Sequence, residues 1–325
     1  MKTVWNELPR PFFVLAPMEG VTDNVFRRVV SEAAAPDIYF TEFVNAASFC
    51  SPKGIHSTRG RLATEDPIAA AGGQPVPKVP LVAQIWGTRP EQFAQMGRAL
   101  ADMGYDGIDI NMGCPVKDVI KTGACSALIN NPPLAAELIA AAKESGLPVS
   151  VKTRIGFTTP VIEEWIGHLL RQDLAALTVH ARTQREMSKV PAHHEAFAQV
   201  IALRDAIAPQ TPVIGNGDIM DRQHGETLAA QYGLDGVMIG RGIFTNPFCF
   251  STAPGQHDRK ELLALLRSHL DAFDAAGRVQ PRKFDPLKRF FKIYIRNFDG
   301  ASELRERLMS AKSTTEVRHI IDISA

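Results

Sequence analysis

Cysteine is scarce in this chain, with 4 in 325 residues. None stands in a CxxC or Cys/His zinc spacing, which excludes a disulfide scaffold and a zinc module; no metal site is expected. A reducing, cytoplasmic setting follows. Long apolar runs are missing too. Nothing approaches the ~18–20 residues of a membrane span, and the start, MKTVWNELPRPFF, lacks the apolar core and cleavage site of a signal peptide. Excess charge is also absent, since 36 Lys+Arg face 35 Asp+Glu for a net of +1. With 45% apolar residues, the chain is not disordered. It is not a wholly basic nucleic-acid binder either, although local patches stay open. No internal repeat, low-complexity tract or GxGxxG turn after the first strand-like run is present.

What is present is an alternation of short β-rich runs with longer helical stretches. Strands are predicted at Phe13–Ala16, Asp37–Thr41, Val79–Gln84, Gly107–Asn111, Pro148–Lys152, Ala176–His180, Pro212–Gly215 and Gly236–Gly240. Runs such as PVSV, LTV and VMI read as strands buried on both faces of a parallel sheet. Helical spacing predicts helices at Arg89–Met103, Leu134–Ser145, Val161–Leu170, Glu195–Ile207 and Asp221–Tyr232. Eight strands alternating with helices fit a (β/α)8 TIM barrel of ~250 residues better than the rival open doubly wound sheet.

The pattern changes near Ser251–His257, a linker-like stretch. Beyond it helices are predicted at Arg259–Ala275, Asp285–Phe298, Ala301–Ala311 and Thr314–Ile321. The expected organisation is a barrel over residues 1–250 and a small helical domain over 251–325. From Gln256 onward 14 Lys+Arg stand against 10 Asp+Glu, a net of +4, so the preceding residues carry −3. Residues 278–296 hold seven basic residues and one acid.

Barrel sites lie at the C-terminal strand ends. These ends read APMEG (16–20), Thr41-Glu42, Gln84, Asn111-Met112-Gly113-Cys114-Pro115, Lys152-Thr153-Arg154, His180-Ala181-Arg182-Thr183, Gly215-Asn216-Gly217-Asp218 and Gly240-Arg241-Gly242. A ring of polar side chains at one mouth points to a polar ligand. The glycine-rich GNGD and GRG loops suit a phosphate, with Arg241 adding a bidentate contact; tight turns are the plain alternative. Lys152 reads as a Schiff-base nucleophile, as a charge that steadies an anionic ring, or as an ion pair with Glu42 or Asp109. His180 reads as a ligand contact, an acid/base or a core histidine. Cys114 sits on a stiff turn between glycine and proline. A thiol of pKa ~8.5 with no adjacent histidine is a better proton donor than nucleophile. Cys50 and Cys249 read as small buried hydrophobes. Cys125 has no assigned place.

Together these segments resemble the tRNA-dihydrouridine synthases. The resemblance rests on APMEGVTDNVFR (16–27), TEF (41–43), QIWG (84–87), GIDINMGCPVKDVIKTGACSALI (107–129), VKTRIG (151–156), HART (180–183), GNGD (215–218) and MIGRG (238–242). It implies FMN at the barrel mouth, reduced by NADPH or NADH, and a uridine of folded tRNA as substrate. The family reaction delivers hydride from flavin N5 to uracil C6, and by motif position Cys114 protonates C5. It further implies that Pro17, Met18 and Glu19 lie against the flavin and that Gln84 bonds the ring edge. Lys152 neutralises charge on the reduced ring, and His180 sits beside it. Asn216, Gly217, Asp218, Gly240 and Arg241 hold the phosphate. Asn111 holds the uracil, with Arg154 and Arg182 near substrate. The helical tail then binds tRNA, through Arg282, Lys283, Lys288, Arg289, Lys292 and Arg296, while Phe284, Phe290, Phe291 and Tyr294 are assigned to its core. A monomer is expected.

Two departures stand out. Cys125 occupies the second glycine of a family loop, and the motifs mix two bacterial subgroups. Alternatives from the residues are a flavin-barrel reductase of a small molecule and a Schiff-base aldolase using Lys152.

Overall fold

Buried strands joined by amphipathic helices close into a barrel here because every strand pairs in parallel with its chain neighbour. The computed structural model describes residues 3–324 apart from Pro254 and Gln256, so part of the linker-like stretch Ser251–His257 lies outside the described residues. The strands are β1 (Phe12–Leu15), β2 (Ile38–Phe40), β3 (Leu81–Trp86), β4 (Gly107–Met112), β5 (Val149–Gly156), β6 (Ala176–Thr183), β7 (Val213–Asn216) and β8 (Gly236–Ile239). Each pairs with the next, and β8 returns to β1 with Phe12 opposite Gly236. This is the (β/α)8 barrel. A two-residue segment, Val44–Asn45, also pairs with the end of β3.

The strands follow the apolar runs, with two instructive differences. β5 and β6 run on through Arg154 and Thr183, beyond the expected ends at Lys152 and His180. The extension costs nothing in unpaired backbone, because the two strands continue to pair as far as Gly156 opposite Thr183. Around the barrel stand α1 (Asn24–Ala34), α2 (Pro90–Asp102), α3 (Pro132–Lys143), α4 (Ile162–Leu170), α5 (Ala196–Ile207) and α6 (Arg222–Tyr232). Asp23, Asn131 and Asp221 cap α1, α3 and α6 by accepting backbone N–H bonds.

The tail contains α7 (Arg259–Val279), α8 (Ala301–Ser310) and α9 (Thr314–Asp322). The capping box of Asp258 and Glu261 starts α7. The single helix expected over Asp285–Phe298 is instead a 3-10 turn, Asp285–Phe290, followed by one short helical turn, Phe291–Tyr294. Pro286 at the start of that turn and the left-handed Asn297 (φ +58) bracket it. Three of the four aromatics are core, as expected, since Phe290, Phe291 and Tyr294 are buried, while Phe284 is half-buried against them.

The tail packs along α1. Phe290 meets Phe26 of α1 at 4.9 Å between ring centroids, and His269 meets Phe26 at 6.0 Å. One continuous apolar core runs from barrel residues such as Phe26 and Val29 to Leu266, Phe291 and Leu308. No helix among the described residues is long and apolar enough to cross a membrane.

Candidate active site at the barrel mouth

The turn after β4 is built by one side chain. Asn111 Oδ1 accepts the backbone N–H groups of Gly113 at 3.1 Å and Cys114 at 2.9 Å. Arg154 Nε donates to the Gly113 carbonyl at 2.6 Å, and Ser126 Oγ donates to the Cys114 carbonyl at 2.8 Å. Pro115 stiffens the far side of the turn. The Cys114 thiol is thus presented at a fixed, half-buried position. Its pKa is pulled down to about 7, first by a hydrogen bond with the Cys125 thiol. Burial opposes this, while the Val116 N–H and the Arg154 charge add to it and Glu19 works against it. The sequence expectation of an ordinary thiol near 8.5 is therefore corrected downward.

Beneath this turn lies a buried polar chain. Asn111 Nδ2 donates to Gln84 Oε1 at 3.0 Å, Gln84 Nε2 donates to Asp109 at 2.7 Å, and Ser150 Oγ donates to Asp109 at 2.7 Å. Burial raises the Asp109 pKa to about 6. Gln84 is fully buried, with both ends of its amide engaged. Two assignments change accordingly. Gln84 stands under the turn and not at a ligand edge, and the Asn111 carbonyl oxygen is spent on the turn. Both act by holding Cys114. Asp109 was noted only as a possible partner of Lys152 and Ser150 was missed, although strand alternation in GIDIN places Asp109 and Asn111 on one face.

Beside the turn opens a cavity of about 560 Å³. Pro17, Met18, Pro115, Lys152, Arg154, His180, Arg182, Asn216, Gly217, Asp218, Gly240 and Arg241 line it, so most of the expected mouth residues do converge. Lys152 Nζ donates to Asn216 Oδ1 at 2.9 Å, and Asn216 Nδ2 donates to the Met238 carbonyl at 2.9 Å. Gly217 has φ +123, and a β-carbon there would lie 3.0 Å from Ala192 Cβ and 3.1 Å from His180 Cδ2. Only glycine leaves that wall of the cavity open.

The mouth is rich in positive charge. Burial, with Arg154 nearby, lowers the Lys152 pKa to about 7. Burial, with Arg182 nearby, lowers that of Arg154 to about 10. His180 is held well below its ordinary range by burial and then by Lys152, Arg154, Arg182 and Arg241. It is neutral, and its Nε2 accepts from Arg182 at 3.1 Å. A ring held neutral is no general acid, and the Nε2 lone pair is engaged by Arg182. Asp218 is the carboxylate inside this ring. It pairs with Arg182 and Arg241 and accepts the Ala192 N–H at 3.1 Å. Asp218 lines the cavity with Asn216, Gly217, Gly240 and Arg241, and its carboxylate orders the two arginines.

Other assignments shift in the same way. Arg154 donates to the Thr183 and Met187 carbonyls at 3.0 Å each, and Arg182 Nε donates to the Val190 carbonyl at 2.7 Å. Both line the cavity while bracing the loop after β6. Glu19 is exposed and pairs with Arg61 at 2.5 Å, away from the cavity lining. Its neighbour Gly20 donates to buried Glu42 at 2.5 Å. Burial, with Asp23 adding repulsion, raises the Glu42 pKa to about 7. Glu42, noted in sequence as a strand end and a possible partner of Lys152, makes no ion pair with Lys152 and is the anchor of the APMEG loop.

Of the six tail cations, four are tied down. Arg282 pairs with Asp23 at 2.6 Å, and Arg289 donates to the Gly20 carbonyl at 2.9 Å. Arg296 donates to the Phe244 carbonyl at 3.0 Å, and Lys288 pairs with Asp285 at 3.1 Å. Lys283 and Lys292 are exposed, the latter 5.7 Å from the Phe244 ring centroid. No group of three or more His, Cys, Asp or Glu among the described residues is placed to hold a metal.

A closed barrel, with a thiol on a rigid turn and a cation-lined cavity beside it, has the layout of a barrel enzyme. The chain belongs to the dihydrouridine synthase family, whose model matches residues 14–324. It is 56% identical over 98% of its length, and 95% of the relative's, to a "Probable tRNA-dihydrouridine synthase 2" of Bacillus subtilis. A "Probable tRNA-dihydrouridine synthase" of Staphylococcus epidermidis is 54% identical over 98% of this chain and 95% of the relative. Its Staphylococcus aureus counterpart is 55% identical over 98% of this chain and 94% of the relative. An old yellow enzyme homologue from Zymomonas mobilis aligns with 12% identity and a TM-score of 0.48, over 76% of this chain and 90% of its own.

Proposed function

We propose that this protein reduces a uridine of tRNA to 5,6-dihydrouridine, with FMN in the mouth cavity, NADPH or NADH as reductant, and Cys114 as the acid. The observation that carries the reading is the Cys114 thiol, fixed by Asn111 beside a cavity rich in cations. The residues fit FMN. A ring of Lys152, Arg154, Arg182 and Arg241 around one carboxylate leaves positive charge that a phosphate and an anionic ring would neutralise. The cavity volume lies within the range of cofactor sites, about 300–1,000 Å³. Gly217 keeps one wall open.

Asn216, Gly217, Gly240 and Arg241 would hold the phosphate, Pro17 and Met18 would lie against the ring, and Lys152 would face its charge. FMN, when bound and reduced, supplies the hydride that C6 of the uracil receives. Cys114 Sγ gives its proton to C5: the S–H bond breaks, a C–H bond forms, and the electron pair stays on sulfur. Arg154 and the Val116 N–H then steady the thiolate. The uracil must leave its stack to reach this turn. The grip on the rest of the tRNA falls to exposed cations such as Lys283 and Lys292, in a monomer acting in the cytoplasm.

The test is reconstitution. The purified chain with FMN, NADPH and unmodified tRNA is expected to yield dihydrouridine by mass spectrometry of digested RNA. A chain that binds FMN yet leaves every uridine intact overturns the reading.

A further inference from the structure

The loop that walls one side of the mouth cavity is held from the tail. It follows β1, and its residues Pro17 and Met18 line the cavity. Within the loop, Thr22 Oγ1 accepts the Met18 N–H at 2.9 Å, and the Val21 and Thr22 N–H groups donate to the Met18 carbonyl at 3.0 and 3.1 Å. Those bonds fix the shape of the turn but not its place on the barrel. Its place depends on Gly20, whose two peptide groups face opposite charges. Glu42, buried after β2, accepts the Gly20 N–H at 2.5 Å. Arg289 Nη1, 269 residues on in the tail, donates to the Gly20 carbonyl at 2.9 Å.

Both partners are fitted to this grip. Gly20 has φ +69, the region that favours glycine, and a β-carbon there would stand 2.8 Å from Arg289 Nη1. Any other residue would push the guanidinium off the carbonyl. Arg289 is oriented in turn by its own segment, because its Nε donates to the Pro286 carbonyl at 3.1 Å within the 3-10 turn Asp285–Phe290. The next residue, Phe290, packs on Phe26 of α1 at 4.9 Å. The arginine is thus delivered from a turn seated on the helix into which the loop leads. A hydrogen bond from a charged donor is the stronger kind.

We propose that Arg289 is a positioning residue for the cofactor site: through Gly20 it holds the loop of Pro17 and Met18 in place, so that the tail completes the wall against which a flavin lies. This rests on the reading of the mouth cavity as the FMN site. Arg289 touches no reacting group and acts only through the loop. Arg282, which pairs with Asp23 at 2.6 Å, grips the start of α1 instead. The two arginines therefore divide the work, one bracing the helix and the other the cavity wall.

The test uses the full chain, freed of FMN, with Arg289→Ala and with Arg289→Lys, which keeps a cationic donor. One readout is hydrogen–deuterium exchange of the peptides covering residues 16–22. The other is FMN affinity, from the quenching of flavin fluorescence on titration. Arg289 is exposed, so the thermal midpoint should stay in place. In Arg289→Ala, exchange over 16–22 should quicken and FMN affinity should fall about tenfold, as loss of one hydrogen bond from a charged group implies. Arg289→Lys should regain part of both. Unchanged affinity in Arg289→Ala overturns the proposal, as does weaker affinity without faster exchange, or a lysine variant no tighter than the alanine one. A loss of affinity that comes with a lowered thermal midpoint also overturns it, because Arg289 is then a brace of the whole fold. If the wild-type chain takes up no FMN, the reading of the cavity falls, and exchange over 16–22 alone decides whether Arg289 holds the loop.

Discussion

The barrel mouth and the tail are both basic, yet they spend their charge differently. At the mouth, Lys152, Arg154, Arg182 and Arg241 line one cavity in which Asp218 pairs with Arg182 and Arg241 alone, and burial makes the charges of Lys152 and Arg154 harder to hold. In the stretch 278–296, most of the cations face carboxylates or carbonyls, and three of those partners belong to the barrel: Asp23, Gly20 and Phe244. Charge that is left uncompensated marks a ligand site; charge that is fully partnered marks an interface within the fold. A count of basic residues cannot tell the two apart.

The mouth half of this comparison is broken most severely at its acid. Cys114→Ala should lower uridine reduction by about 10²–10⁴-fold, the usual worth of a positioned acid. Reduction of bound FMN by NADPH should continue, as followed by loss of flavin absorbance. Normal turnover in this variant would remove the acid role. The same thiol sets the next largest effect. With its pKa near 7, Cys114 is a thiol below that pH and a thiolate above it. The rate at which tRNA reoxidises the reduced enzyme should therefore be flat at low pH and fall about tenfold per pH unit once the thiolate dominates. A rate that rises through neutrality would mean that Cys114 acts as a base or nucleophile.

The tail half is broken first at Arg282. Its partner Asp23 is also the cap of α1, accepting the Phe26 N–H at 2.9 Å. Arg282→Ala should cost about 1–2 kcal/mol, as removal of a charged partner from a half-buried pair does. The loss is read as a lower denaturant midpoint with unchanged slope. No loss would mean that this pair adds nothing to the hold of the tail on the barrel.

The barrel was legible in the sequence because eight runs of buried strand recur between helical stretches, and the ring of mouth residues was legible because barrel sites always lie at strand ends. What stayed hidden is partnership. Gln84 reads as a ligand contact until its amide is seen spent on Asp109 and Asn111. Asp218 reads as part of a phosphate loop, and only the structure shows its carboxylate on Arg182 and Arg241. Such pairings join residues tens of positions apart, and no local pattern encodes them. Cys125 reads as a lost glycine, and the backbone shows the positive φ that a glycine would take there. The helix expected over 285–298 failed for a nearer reason, Pro286 and the left-handed Asn297.

The smallest effect sharpens the comparison most. Lys283 and Lys292 are exposed and make no ion pair among the described residues, whereas Arg282 pairs with Asp23 and Arg296 donates to the Phe244 carbonyl. If partnered charge builds the fold and unpartnered charge meets RNA, replacing both lysines by alanine should leave the denaturation midpoint in place. Affinity for tRNA should weaken only a few-fold at moderate salt, while the slope of log affinity against log salt falls by about 2, one for each lost phosphate contact. Arg282→Ala should show the reverse, a shifted midpoint with the salt slope kept. An unchanged slope in the double lysine variant would move the RNA-facing surface away from this stretch. The other exposed cations of the mouth rim, Lys117, Arg185 and Lys189, would be the next to replace.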